Sequence, residues 1–299
     1  MSRTPGVVSR RRDWTLIWFL LIGVIVVAAI IGVPLLHAIE LSLYKMESFV
    51  GVPQWVGWDN YARVLADSDF WRAFGNGTVI ALLSIVLQLV FGVGIAMVLN
   101  QTFVGQSIAR GLMILPYLLP TVVACLTFEW LLDGSYGLVK AMLSSAGIPM
   151  FDWSATRWSA TATIVLVSVW IWTPFVVTCV LAGLQSIPRQ LYEAAEVDGA
   201  GPFARFWHVT VAGLKPVLTV VILLRGIWMF NKFDVVWLLT KGGPLNSTET
   251  LPVLAYRRAF QAFDVGGGAA GATIAFAILA VVFTVYRRLF PLDDRSEQR

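Results

Sequence analysis

The sequence predicts an all-α integral membrane protein with six transmembrane helices. Two observations carry that reading. Of 299 residues, 58% are hydrophobic and only 13% charged, and the mean hydropathy is +0.75. A soluble domain carries about 25% charged residues, so lipid must replace water over much of this surface. Second, six runs are apolar enough to cross a bilayer, which takes about 20 residues. They are Trp14–Leu36, Thr78–Leu99, Gly111–Leu132, Thr161–Leu184, Pro216–Leu239 and Val265–Tyr286.

Taken in order, residues 1–13 form a basic tail expected in the cytoplasm, with Arg10-Arg11-Arg12 abutting the first apolar run. That run is too long for a signal-peptide core, and no small-x-small cleavage site follows, so it is expected to stay as a span. Residues 14–73 make the first helix and an external segment, and residues 74–290 make the core transmembrane domain. Pro116 and Pro120 fall inside the third run, where they predict kinks that neighbouring helices must re-satisfy. Residues 291–299 form a second cytoplasmic tail. An even number of spans places both termini on one side. The Arg triplet before the first span and Arg287-Arg288 after the last put that side in the cytoplasm. The net charge of +4 fits inward-facing Arg and Lys, not a nucleic-acid surface.

The fifth run is unusual because it holds Arg225, Lys232 and Asp234. Ionisable groups at membrane depth usually face a bundle interior or a water-filled path. Projected at about 100° per residue, Trp228, Asn231, Lys232 and Asp234 share one half of the helix with Arg225. Amides and carboxylates suit sugar hydroxyls, and aromatic rings suit apolar sugar faces. Structural pairing of the three charged residues, or snorkelling of Lys232 and Asp234, is the competing reading. Thr240–Pro244 follows as an external turn, with Gly-Gly-Pro breaking the helix.

Between the fourth and fifth runs lies a polar loop, residues 186–215. Pro188 suits a first helical turn, Ser186 can cap it, Gly199 can take a left-handed C-terminal conformation, and Pro202 can open a second helix. These residues predict a compact knob of two short helices. Read on composition alone, it could also be an amphipathic connector on the membrane surface. Within it, Glu193-Ala194-Ala195-Glu196-Val197-Asp198-Gly199-Ala200 resembles the EAA loop of ATP-binding-cassette (ABC) importer permeases. The resemblance is strengthened by Val56-Gly57-Trp58-Asp59-Asn60-Tyr61 in the external segment. Phe230-Asn231-Lys232-Phe233 with Leu239-Thr240-Lys241-Gly242-Gly243-Pro244 resembles the corresponding segment of maltose-type permeases. Relatives usually carry a Leu-Pro pair near Val211-Ala212, and here the proline is absent.

The resemblance implies a type I ABC importer permease fold with a cytoplasmic coupling helix, from the carbohydrate-uptake branch. Glu193 and Asp198 would contact basic or backbone groups of an ATPase, Ala194, Ala195 and Ala200 would fit its cleft, and Gly199 would set the bend. Trp228 and Asn231 would line the substrate pathway, with Arg225, Lys232 and Asp234 either lining it or pairing structurally. The implied partners are two ATPase subunits, a second homologous permease subunit, an extracytoplasmic solute-binding protein, a sugar and the lipid bilayer. The implied location is the bacterial cytoplasmic membrane. No G-x-x-x-x-G-K-[ST] phosphate loop occurs, so ATP and magnesium are expected on the partner ATPases, with no cofactor bound by this chain. Two further readings stay open here: another cargo such as glycerol-3-phosphate on the same scaffold, and an ion-coupled secondary transporter.

Gly266, Gly268 and Gly271 match G-x-G-x-x-G but open an apolar run with no preceding strand, so a dinucleotide site fails its context. A Gly267/Gly271 helix-packing face is the better expectation. Cys125 and Cys179 sit inside apolar runs as packing residues. His37 and His208 have no ligand-spaced neighbour, so neither a metal site nor a catalytic constellation is expected.

Overall fold

A computed structural model describes residues 14–46, 52–148 and 152–291. The N-terminal tail, and the C-terminal tail beyond residue 291, lie outside the described residues. The chain is overwhelmingly helical. Its long helices are α1 (Trp14–Ser42), α3 (Ser68–Leu99), α7 (Arg157–Ser186), α10 (Ala212–Phe230) and α13 (Val265–Leu289), with α2 (Asp59–Ala66) preceding α3. Each long helix is long and apolar enough to cross a membrane, α10 together with the turns that lead into it. A sixth crossing is made if α4 (Gln106–Leu118) and α5 (Thr121–Leu132) act as one span, bent by 92° between them.

That bend lies at one of the two predicted prolines only. Leu119, the residue before Pro120, is held extended at φ −73°, ψ 135°, as the proline ring demands of its predecessor. Pro116 instead sits inside the last turn of α4.

α3 packs along α7, and both meet α10. Without a hydrophobic drive between helices in lipid, this interface rests on close packing. Val167, Val176, Val180 and Leu214 are fully buried there, together with Ile171. α1 touches chiefly α13, and its described side chains are largely exposed, as expected of a lipid-facing helix.

The segment between α1 and α3 folds back on one end of these helices. Tyr44–Lys45 (β1) and Gln54–Trp55 (β2) pair antiparallel, Tyr44 opposite Trp55, a small sheet that the all-α expectation did not include. Asn60, at the start of α2, is fully buried. Its Nδ2 donates to the carbonyls of Ser42 at 2.7 Å and Tyr44 at 2.9 Å, closing the C-terminal end of α1. Tyr61 meets the Ser42 hydroxyl at 2.6 Å. α13 enters beneath this cap. A Cβ at Gly266 would lie 2.0 Å from the Tyr44 carbonyl oxygen, so only glycine fits. The close-packing glycines are therefore Gly266 and Gly268, the latter against Ala255 and Ala259, not Gly267 and Gly271 as expected. A Cβ at Gly267 would instead strike Asp264, whose carboxylate accepts from the Gly267 amide and caps α13.

The fifth predicted span is corrected. It does not run unbroken from Pro216 to Leu239. α10 is preceded without interruption by α9 (Pro202–Arg205) and a π-helical turn, Phe206–Val211, and it stops at Phe230. Asn231 to Phe233 form a break, and α11 (Asp234–Thr240) resumes. The remaining short helices are α6 (Leu138–Ser145), α8 (Arg189–Val197) and α12 (Leu251–Tyr256), the last running into a second π-helical turn, Arg257–Gln261.

Candidate functional sites: an exposed hairpin and a cleft at a helix break

The first site is the hairpin of α8 and α9. Pro188 precedes α8 with extended backbone. Ser186 does not cap α8. It ends α7, and its hydroxyl donates to the Gly183 carbonyl at 2.8 Å. At the other end Gly199 takes φ +75°, and the amides of Gly199 and Ala200 donate to Glu196 and Ala195 at 3.0 and 2.9 Å. That pair of bonds is a Schellman closure, which needs a left-handed residue. Pro202 then opens α9 at its first position. Tyr192 and Thr210 share a hydroxyl contact at 3.0 Å that ties the hairpin to the π-helical turn.

Glu193, Ala194, Asp198 and Gly199 are exposed on this knob, and Ala195 and Ala200 are half-buried. Sequence reasoning missed its apolar surface. Val197 is 88% exposed and Phe203 76%, with Leu191 and Trp207 also open. Exposed large apolar side chains on one short hairpin mark a surface for a protein partner or for the membrane. Their signal lay in the sequence as apolar residues at positions the short helices could not bury.

The second site lies where α10 breaks. Ile227, Trp228, Asn231, Lys232, Phe233 and Asp234 line a cleft of about 350 Å³, within the range of small-molecule pockets. Trp228 is half-exposed and stands edge-on to Phe175 of α7, with ring centroids 5.3 Å apart, and Tyr117 of α4 continues the row at 6.3 Å from Phe175. Asn231 is exposed at the C-terminal cap of α10. Lys232 donates to the Asp234 carboxylate at 3.3 Å and rests 3.8 Å above the Trp172 ring. The single polar stripe expected from a continuous helix is therefore not the arrangement. The break itself brings Asn231, Lys232 and Asp234 to Trp228.

Arg225 is separated from that cleft. It is 1% exposed and turned into the bundle. Its Nε donates to Gln88 Oε1 at 2.8 Å, and Nη2 reaches the Met229 sulfur at 3.0 Å. Gln88, also fully buried, is held by the Ser168 carbonyl through Nε2 at 3.3 Å. The guanidinium lies 5.4 Å from the Trp172 ring and 5.8 Å from Trp228. Among the described residues no carboxylate pairs with it. Desolvating an ion costs several kcal/mol; the charged hydrogen bond to Gln88 and the cation–π contacts with Trp172 and Trp228 act against that cost. Gln88, Trp172, Phe175 and Tyr117 belong to this site and were not visible in sequence, because they come from three other helices.

The end of the bundle away from the hairpin is stitched by charge. Arg257 pairs with Glu249 and Arg258 with Asp67. Arg157 donates to Asn76 Oδ1 at 3.0 Å, and Asn76 Nδ2 donates to the Glu249 carbonyl at 3.1 Å. Burial pushes the Glu249 carboxyl up, against the pull of the Arg257 guanidinium. α11 ends at Thr240, where the predicted Gly-Gly-Pro turn begins, and the tip of that loop carries Leu245, 97% exposed. No group of three or more metal-ligating side chains gathers among the described residues.

Comparison with known proteins bears on both sites. Residues 88–292 match the family of binding-protein-dependent transport system inner membrane components, a stretch that holds both the hairpin and the cleft. The chain is 36% identical over 260 residues to the trehalose/maltose transport system permease protein of Thermococcus litoralis, covering 87% of this chain and 88% of the relative. It is 34% identical over 272 residues to the sulfoquinovosyl glycerol transport system permease protein of Agrobacterium fabrum, covering 90% and 88%. In fold it resembles a chain of a bacterial ABC transporter involved in import of the acidic polysaccharide alginate. There the TM-score is 0.81 at 21% identity, over 95% of this chain and 97% of that one. This chain belongs to the family of binding-protein-dependent transport system inner membrane components, as a multi-pass permease of the ABC importer type.

Proposed function

We propose that this chain forms half of the pathway of an ATP-driven sugar importer, with the α8–α9 hairpin as its coupling to an ATPase. The observation that carries the coupling is the exposed knob: Val197 and Phe203 held out from the fold, with Glu193 and Asp198 beside them and a rigid glycine bend behind. Apolar anchors of this kind supply docking energy, and rim charges set partner and register. The hairpin is continuous with α10 through the π-helical turn, so a push on the knob is delivered along α10 to its break and the cleft.

On this reading two ATPase subunits hold the nucleotide and magnesium, and this chain binds neither. A second, homologous permease subunit supplies the other wall of the cleft. The solute-binding protein docks on the outer face beside Leu245, with both termini in the cytoplasm. Nucleotide-driven closure of the ATPases turns the cleft outward, and hydrolysis returns it inward. Trp228 and Phe175 offer ring faces for an apolar sugar surface, while Asn231 and Asp234 offer partners for hydroxyls. The sugar class is supported by the names of the relatives and by this mixture of groups.

Glu193→Lys tests the reading. Charge reversal on the knob is expected to cut uptake at least tenfold, about 1.4 kcal/mol of docking energy, while membrane insertion is unchanged. Uptake at the normal rate, or purification of an active importer with no ATPase attached, overturns it.

A further inference from the structure

The cleft and its surroundings hold an imbalance of charge. Lys232 and Asp234 face each other at 3.3 Å and cancel. Arg225 has no such partner among the described residues. Its Nη1 donates to nothing described, and the Nη2 bond ends on a thioether, a weak acceptor. Glu129 on α5 is exposed and makes no ion pair with either cation among the described residues. Arg225 and Lys232 both lie on Trp172, and Trp228, which lines the cleft, also lies against the Arg225 guanidinium. On this chain's side, and among the described residues, the site thus carries one excess positive charge just behind a cleft wall. A neutral cargo would meet a buried cation only through its dipoles, a weaker attraction than that of a full opposite charge. An oxyanion in the cleft would be drawn to it through a low-dielectric wall, where charges act most strongly.

We propose that the cargo is a sugar-sized solute bearing one negative charge, a carboxylate or sulfonate. Lys232 contacts the oxyanion, and Arg225 acts as a positioning residue that supplies positive field from behind Trp228. Asp234 is freed from Lys232 to accept from a cargo hydroxyl. This rests on the importer reading above, from which the test separates it.

The whole transporter, with its partner subunits and binding protein, is reconstituted in proteoliposomes with ATP on the ATPase side. The probes are two matched pairs: trehalose and its mono-uronate, and glucosyl glycerol and its C6-sulfonate. The acidic member of a transported pair is expected to enter at least tenfold faster than the neutral one. Lys232→Asn is expected to lower the acidic-to-neutral ratio at least tenfold, and Lys232→Arg to restore it. Arg225→Gln is expected to lower the same ratio, measured per assembled complex. ATP-driven entry favouring the neutral member overturns the charge assignment and leaves the importer reading standing. Equal slowing of both members by Lys232→Asn also overturns it and makes the two cations elements of the fold or of the subunit interface.

Discussion

Asn60 shows how much one side chain can organise. It is fully buried, and it satisfies two carbonyls that no helix partner reaches, Ser42 and Tyr44. The sequence marked it only as part of a short external pattern, and its task became visible once α1 and α2 were placed together. Replacing Asn60 by alanine leaves both carbonyls without this donor. A buried acceptor left unpaired costs about 1–3 kcal/mol, so Asn60→Ala is expected to lower the melting temperature of the purified protein by several degrees. A melting temperature equal to that of the parent would show that water or a neighbour already serves those carbonyls. Arg225 makes the converse point about legibility. Its presence in an apolar run was plain from the sequence. Its direction was not, because the acceptor that turns it inward, Gln88, lies 137 positions away, and nothing local encodes that contact.

At the scale of elements, what was readable was what is decided locally. The hairpin followed from proline, glycine and small helix formers, and its Schellman closure is made within six residues of chain. The bend between α4 and α5 followed from the restriction Pro120 places on Leu119. The break after Phe230 was not read from the sequence: no proline or glycine marks it, and the apolar run resumes at Val235–Leu239 after Asn231-Lys232-Phe233-Asp234. There, contacts of α11 with α5 and α7 override a pattern that favours one long helix. The hairpin gives the element-scale prediction. At φ +75° a β-branched residue is a severe outlier, so Gly199→Val must distort the bend. No side chain crowds the position, so the effect comes from the backbone alone. Gly199→Val is expected to lower uptake at least tenfold with little change in the amount of folded protein. Gly199→Asn, which tolerates the left-handed region, is expected to keep most of it. Equal activity of the two variants would show that the bend is not what transmits motion.

For the molecule as a whole, the two ends are built differently. The end that carries the Leu245 loop is held by cross-element ion pairs joining the loop after α11, the second π-helical turn and the start of α3. The hairpin end carries few such ties and presents apolar surface. We propose that the hairpin end faces the cytoplasm, in line with the Arg-rich termini. The α7 helix fixes the separation. Its 30 residues span about 45 Å, enough to set the hairpin at one end and the Leu245 loop at the other on opposite faces of a bilayer. Cysteine can report this directly. Cys125 is buried and Cys179 half-buried, so a Cys179→Ser background is nearly silent towards a membrane-impermeant maleimide. In that background Val197→Cys, at a position 88% exposed, is expected to react only when the reagent has access to the cytoplasmic face. Leu245→Cys, at a position 97% exposed, is expected to react from outside in intact cells. If Val197→Cys were labelled in intact cells and Leu245→Cys protected, the orientation would be inverted. The knob would then face away from any ATPase, and the coupling assigned to it would be lost with it.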